Sequence, residues 1–172
     1  MPTATSTSSK KILILGRPKS GKLSLVKALT SSLPSGLVHH STSHAGLTHS
    51  ITLKNEYFST QAGIWIDEIP VDEETWLNEY LSEDAIPVFQ NLAALILTVD
   101  MSTTTIKGDL EMVRRLNERG EEVEWDGTTL VVGKQSSVKS GVHDMSSLCD
   151  GYALEYVDMN ASGKNEYGGI FL

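Results

Sequence analysis

Lys11-Ile-Leu-Ile-Leu-Gly-Arg-Pro-Lys-Ser-Gly-Lys-Leu-Ser-Leu-Val-Lys-Ala-Leu29 is the stretch that decides the fold of this chain. It opens with a short apolar run closed by Gly16, the pattern of a strand buried on both faces. Leu23, Leu25, Val26 and Leu29 then recur at helical spacing until Ser31-Ser-Leu-Pro34, where proline stops the helix. Between strand and helix, Gly16-Arg-Pro-Lys-Ser-Gly-Lys22 satisfies the first seven positions of the P-loop pattern, in the context that pattern requires. In such a loop the glycines let backbone N–H groups curl around a phosphate, the helix N-terminus adds positive potential, and the lysine reaches the outer phosphates. Gly16, Ser20, Gly21 and Lys22 are therefore the candidate cofactor-binding residues. A plain strand-to-helix turn is the competing reading.

Downstream, buried-strand patterns alternate with helical ones. Residues 35–50 are Ser, Thr, Gly and His without periodicity and read as a long loop. Ile51 to Phe58 and Ala62 to Ile66 read as two strands joined by a turn at Ser59-Thr-Gln61. Asp72 to Leu81 reads as a helix with Asp72 as N-cap and Trp76, Leu77, Tyr80 and Leu81 on one face. Leu92 to Val99 is a second buried strand, and Leu110, Val113 and Leu116 mark a helix that stops at Gly120. Thr128 to Val132, a short helix from Met145 to Leu154 and a strand from Leu154 to Val157 complete the order. The expected fold is a three-layer α/β P-loop NTPase of the small G-protein type. Its sheet is mostly parallel with one antiparallel strand, and ligands bind at the carboxyl ends of the strands.

A length of 172 residues fits one domain, taken as residues 11–172 behind a Ser- and Thr-rich leader, residues 1–10, without the apolar stretch of a secretory signal. No run approaches the roughly 20 apolar residues that span a bilayer. One cysteine, Cys149, makes no internal disulfide and fits a reducing cytoplasm. The net charge of −8 repels a phosphodiester backbone, so nucleic acid and anionic membrane are not expected partners.

Set against a working G protein, the loop and its surroundings are defective. The eighth P-loop position, whose hydroxyl holds magnesium, is Leu23. Ser24 is turned about 100° away along the helix. Trp65-Ile-Asp-Glu-Ile-Pro70 supplies the expected aspartate, Asp67, but puts Pro70, which has no N–H, where a glycine contacts the terminal phosphate. Val71 stands where a glutamine orients water. Gly133-Lys-Gln-Ser136 replaces the base-reading Asn-Lys-x-Asp, so a serine stands in for the carboxylate that reads guanine. The expectation is a site without catalytic residues, metal or cofactor. The alternative is an active P-loop GTPase holding GTP or GDP and Mg through Asp67 and Ser24.

Gly16-Arg-Pro-Lys-Ser-Gly-Lys-Leu-Ser-Leu25, Ser43-His-Ala-Gly-Leu-Thr-His49, Ile64-Trp-Ile-Asp-Glu68, Glu124-Trp-Asp-Gly127 and Asn165-Glu-Tyr-Gly168 together resemble the α- and γ-adaptin-binding protein family. That family includes the fungal increased recombination centers proteins and has a Rab-like N-terminal domain. The resemblance covers residues 11 to 168. It implies a clathrin-adaptor accessory or assembly factor in vesicle-mediated transport, in trans-Golgi, endosomal and endocytic traffic. Joined to the damaged site and the single cysteine, it gives the expectation of a noncatalytic binding or chaperone module, cytoplasmic and at clathrin-coated membranes. The implied partners are γ- and α-adaptin and a σ subunit, with homo-oligomerisation open. The family's long final helix is not matched, because the sequence ends at Gly168-Gly-Ile-Phe-Leu172. Its absence would leave one sheet face partly bare, for a partner to cover if the chain is not simply truncated.

Two further features carry candidates. His39, His40, His44 and His49 crowd one loop, where a solvated loop is preferred to zinc because no Cys or carboxylate joins them there. Thr48 falls near the position of a switch threonine. Asp72, Glu73, Glu74, Glu79, Glu83 and Asp84 make an acidic second-switch region. This is either a solvated face or a rim that docks on a basic adaptin surface through Glu73, Glu74, Trp76 and Tyr80.

Overall fold

The apolar runs do become adjacent strands of one sheet. A computed structural model describes residues 10–37, 43–134 and 144–159. Among them are β1 (Lys11–Gly16), α1 (Lys22–Thr30), β2 (Leu47–Lys54), β3 (Ser59–Ile66), α2 (Glu73–Leu81), a 3-10 turn (Glu83–Ala85) and α3 (Ile86–Asn91). There follow β4 (Leu92–Asp100), α4 (Ile106–Glu122), β5 (Thr128–Lys134), α5 (Met145–Asp150) and β6 (Glu155–Asp158). The strand order is β2-β3-β1-β4-β5-β6, and only β2 runs antiparallel to its neighbour. The result is a mixed α/β fold around a six-stranded, mostly parallel sheet.

Strand alternation sends side chains to opposite faces, and helices cover both. Leu13, Leu15, Leu95, Leu97 and Val131 face α2, α3, α4 and α5, where Leu77, Phe89, Leu110, Leu116 and Cys149 complete one core cluster. Ile14, Ile64, Ile66, Ile96 and Val132 face the other way, onto Leu25 and Val26 of α1. β1 lies at the centre, paired with β3 through Ile12↔Ile64 and with β4 through Leu13↔Leu95. The loop that leaves its carboxyl end is therefore anchored from both sides.

Several boundaries differ from expectation. The hairpin turn is Asn55 to Phe58, not residues 59–61, because Asn55 Oδ1 accepts from the backbone N–H groups of Tyr57 (2.8 Å) and Phe58 (2.9 Å). That side chain mimics a turn carbonyl and fixes the reversal four residues early. The long loop gives way to β2 at Leu47, and residues 38–42, with His39 and His40, lie outside the described residues. α4 runs past Gly120 to Glu122, since Gly120 is a packing glycine: an added Cβ would stand 2.7 Å from Trp125 Cε3. Trp125 folds back over it, its indole N–H donating to the Leu92 carbonyl at 2.9 Å. α5 ends at Asp150, well before Leu154, and β6 begins at Glu155. α3 has no counterpart in the periodicity argument. Pro87 sits in its first turn and Phe89 is its one fully buried side chain, a burial worth about 1.5–3 kcal/mol. The expectation of a missing final helix falls on residues 160–172, outside the described ones.

Candidate functional site

The loop between β1 and α1 makes a tight turn under backbone constraint. Gly16 is required, because a Cβ there would collide with Ser20 Oγ and with the hydroxyl and carbonyl of Thr98 on β4. Ser20 Oγ and Thr98 Oγ1 instead hydrogen-bond at 2.7 Å and pin the loop to the sheet. Gly21 adopts φ 102°, a left-handed conformation open to glycine, and caps α1 with the side chain of Lys134 lying across it. Lys134 comes from the end of β5, as the base-reading segment was expected to, whereas Gln135 and Ser136 lie outside the described residues.

Lys22, expected to reach phosphate, points inward. Its Nζ donates to the carbonyls of Gly16 (2.8 Å) and Arg17 (2.7 Å) and pairs with Glu68 Oε2 at 2.9 Å. Of the three ammonium protons, two have carbonyl acceptors, while Glu68 Oε2 balances the charge as an ion-pair partner outside hydrogen-bond alignment. The Lys22 side chain is 1% exposed and that of Glu68 7%, so the pair is shut off from water. Burial lowers the Lys22 ammonium below its ordinary value, with Glu68 pulling the other way. Glu68 is the functional residue that motif reading passed over. The signal available was an acid placed directly after the strand-end Asp67, facing a loop lysine that needs a counter-charge.

Asp67 sits beside this pair but is committed elsewhere. Its Oδ2 accepts from the Trp76 indole N–H (3.1 Å) and the Tyr80 hydroxyl (2.7 Å), and its Oδ1 from the Glu68 N–H (2.8 Å). Burial first, and then the charge of Asp67, push the Tyr80 phenol well above its ordinary range. Ser24 is solvent-exposed on α1, and Leu23 half-buried. Among the described residues no group of three or more His, Cys, Asp or Glu side chains is placed to hold a metal ion.

Arg17 ties the loop to two helices. Its Nε and Nη2 reach Asp109 Oδ1 on α4 at 2.8 and 2.7 Å, and Nη2 also bonds Glu73 on α2. Burial works against the Arg17 charge, but the bonds to Asp109 and Glu73 outweigh it and hold the guanidinium above its ordinary value. Burial pushes the Asp109 carboxyl up despite Arg17. Glu73, expected on a docking rim, thus serves an internal bridge. Glu74 is exposed, and Trp76 and Tyr80 donate their polar hydrogens to Asp67 while their side chains line a surface groove. Pro70 and Val71 follow, Val71 fully exposed. Of the loop histidines, His44 lines the mouth of the glycine loop with Lys19 and Lys134, and Thr48 does not. His49 is on β2, hydrogen-bonded to the hydroxyls of Thr30 and Ser32.

No protein-family model matches the chain. An uncharacterized protein of Schizosaccharomyces pombe is 45% identical over 89 residues, which is 51% of this chain and 36% of that protein. Increased recombination centers protein 6 of Candida tropicalis is 29% identical over 178 residues, 91% of this chain and 65% of the relative. The chain thus spans about two thirds or less of the length of these relatives. Among solved structures, yeast Irc6p, described as a novel type of conserved clathrin accessory protein, aligns with TM-score 0.64 over 95% of this chain and 86% of that one. At 18% identity that likeness is one of fold. No helix of the described residues is long and apolar enough to cross a membrane. By sequence over nearly its whole length, and by fold, the chain is similar to the increased recombination centers 6 proteins.

Proposed function

We propose that the fold is that of a small G protein whose nucleotide site has become scaffolding, and that the domain works as a noncatalytic accessory factor of clathrin adaptors. The observation that carries the first half is the Lys22–Glu68 pair. The ammonium meant for phosphate already donates to two carbonyls and is paired with a buried carboxylate. A triphosphate has to displace Glu68 and then lie beside an unpaired buried carboxylate, a penalty of several kcal/mol. Leu23 offers no hydroxyl to magnesium, Asp67 is held by Trp76 and Tyr80, and Pro70 has no N–H. Support for the second half is kinship with the increased recombination centers 6 proteins and likeness to a clathrin accessory protein. Adaptin subunits as direct partners and action at coated membranes belong to this proposal.

The test has two arms. Purified chain is denatured and its supernatant chromatographed for nucleotide, and the native chain is titrated calorimetrically with Mg-GTP and Mg-GDP. No stoichiometric nucleotide and no binding heat are expected. A bound guanine nucleotide hydrolysed on incubation would establish the active GTPase instead. Capture of purified γ-adaptin, α-adaptin and σ subunits on immobilised chain tests the partner, and failure to hold any of them ends that half.

A further inference from the structure

Residues 67–91 contain eight carboxylates and no Lys, Arg or His, and those eight equal the whole formal net charge of −8. Glu68 and Glu73 pair with Lys22 and Arg17, so the acids left to build a potential of one sign are Asp67 and Asp72 before α2, Glu74 and Glu79 on it, and Glu83 and Asp84 on the 3-10 turn, while α3 carries none. A shallow groove of about 850 Å³ opens on that corner, within the roughly 300–1,000 Å³ common for binding sites. Trp76, Tyr80 and Val88 give it apolar lining, while Asp67, Glu79 and Asp84 give it carboxylates. The two rings, with centroids 4.8 Å apart and planes at 55°, both donate to the same oxygen of Asp67. They are therefore fixed before any partner arrives, which reduces the ordering lost on binding. A metal is the wrong occupant, since no metal-holding group of side chains is found among the described residues. An apolar groove whose charged lining is entirely acidic complements one that presents apolar residues flanked by bases.

We propose that this groove docks a basic amphipathic segment of a partner protein, its apolar face against Trp76, Tyr80 and Val88 and its Lys or Arg residues on Glu79 and Asp84. The inference rests on the reading of the domain as a docking module and adds the chemistry of what it takes.

The probe is a short fluorescein-labelled helical peptide of Leu and Lys at amphipathic spacing, followed by anisotropy. Matched peptides carry Glu for Lys, or Ser for Leu. The Leu–Lys peptide is expected to bind at least about tenfold more tightly than either, and more weakly as salt rises. Glu79→Lys/Asp84→Lys should lose about tenfold or more, while Glu56→Lys/Glu121→Lys, an equal charge change at exposed sites away from the groove, keeps the affinity. Circular dichroism confirms that both pairs are folded. Equal losses in the two pairs, or equal binding of the Ser–Lys peptide, would show long-range charge attraction alone and overturn the proposal. Concentration-dependent dimerisation that Glu79→Lys/Asp84→Lys abolishes would assign the groove to a second copy and overturn it too. A chain that captures adaptor subunits but leaves the peptide free refutes the groove alone. One that binds the peptide at the groove but captures no adaptor refutes the clathrin partner alone and supports the groove.

Discussion

Glu68 Oε2 lies 2.9 Å from Lys22 Nζ in a position closed to water, so the one cation expected to bind phosphate is neutralised from within the fold. A buried ion pair contributes little net stability because both charges are desolvated, yet removing one member leaves the other unpaired.

Lys22→Met or Glu68→Leu alone should therefore destabilise the chain by about 3–5 kcal/mol, and Lys22→Met/Glu68→Leu together by markedly less than the sum. Urea unfolding of the four chains measures this. Strict additivity would mean that the pair is not coupled, and the account of the loop as self-neutralised would have to be given up.

Arg17→Met should leave Asp109 buried with no cation, raising its carboxyl further than burial already does. An acid whose folded value lies above its unfolded one contributes stability that is full at low pH and is lost as pH rises through the folded value. Stability of Arg17→Met should thus increase as pH falls from neutrality toward the ordinary carboxylate range, and Arg17→Met/Asp109→Asn should lack that gain. Parallel pH profiles for the two variants would contradict the bridge.

Gly120→Ala introduces a Cβ 2.7 Å from the Trp125 ring. Alanine is the better helix former by about 1 kcal/mol, but overpacking costs about 1–3 kcal/mol, so a net loss is expected. Adding Trp125→Leu should make the same alanine neutral or favourable. A stabilised Gly120→Ala, read by thermal melting, would show that the ring moves aside.

Cys149 is buried in the core, and burial, followed by the charge of Asp150, pushes its thiol up from 9.0 to about 11. A raised value contributes stability that is complete below pH 9 and disappears as pH climbs through about 11. The difference in unfolding free energy between the native chain and Cys149→Ala should accordingly shrink across that window. Below it, the folded thiol should resist an aromatic disulfide reagent that reacts at once in urea. Fast labelling of the folded chain at neutral pH would refute the burial.

The sequence determined what depends on near neighbours. The apolar runs of β1, β4 and β5, the Trp76–Leu77 face of α2, the Asp72 cap and the glycine loop all follow from residue type and spacing within a few positions, and each appears as an element of the structure. The hairpin turn lies earlier than periodicity indicates because Asn55 acts through one side chain whose turn bonds periodicity does not encode. The run past Gly120 was missed because that glycine answers to Trp125, a partner beyond the helix end.

What only the tertiary structure decided is where the charges went. Lys22 with Glu68, Arg17 with Asp109 and Glu73, and Asp67 with Trp76 and Tyr80 join elements separated along the chain. A buried ionisable group takes whichever counter-group the packed sheet and helices bring within reach. Motif spacing pointed to a glycine loop between β1 and α1, but only the packing showed what its lysine holds.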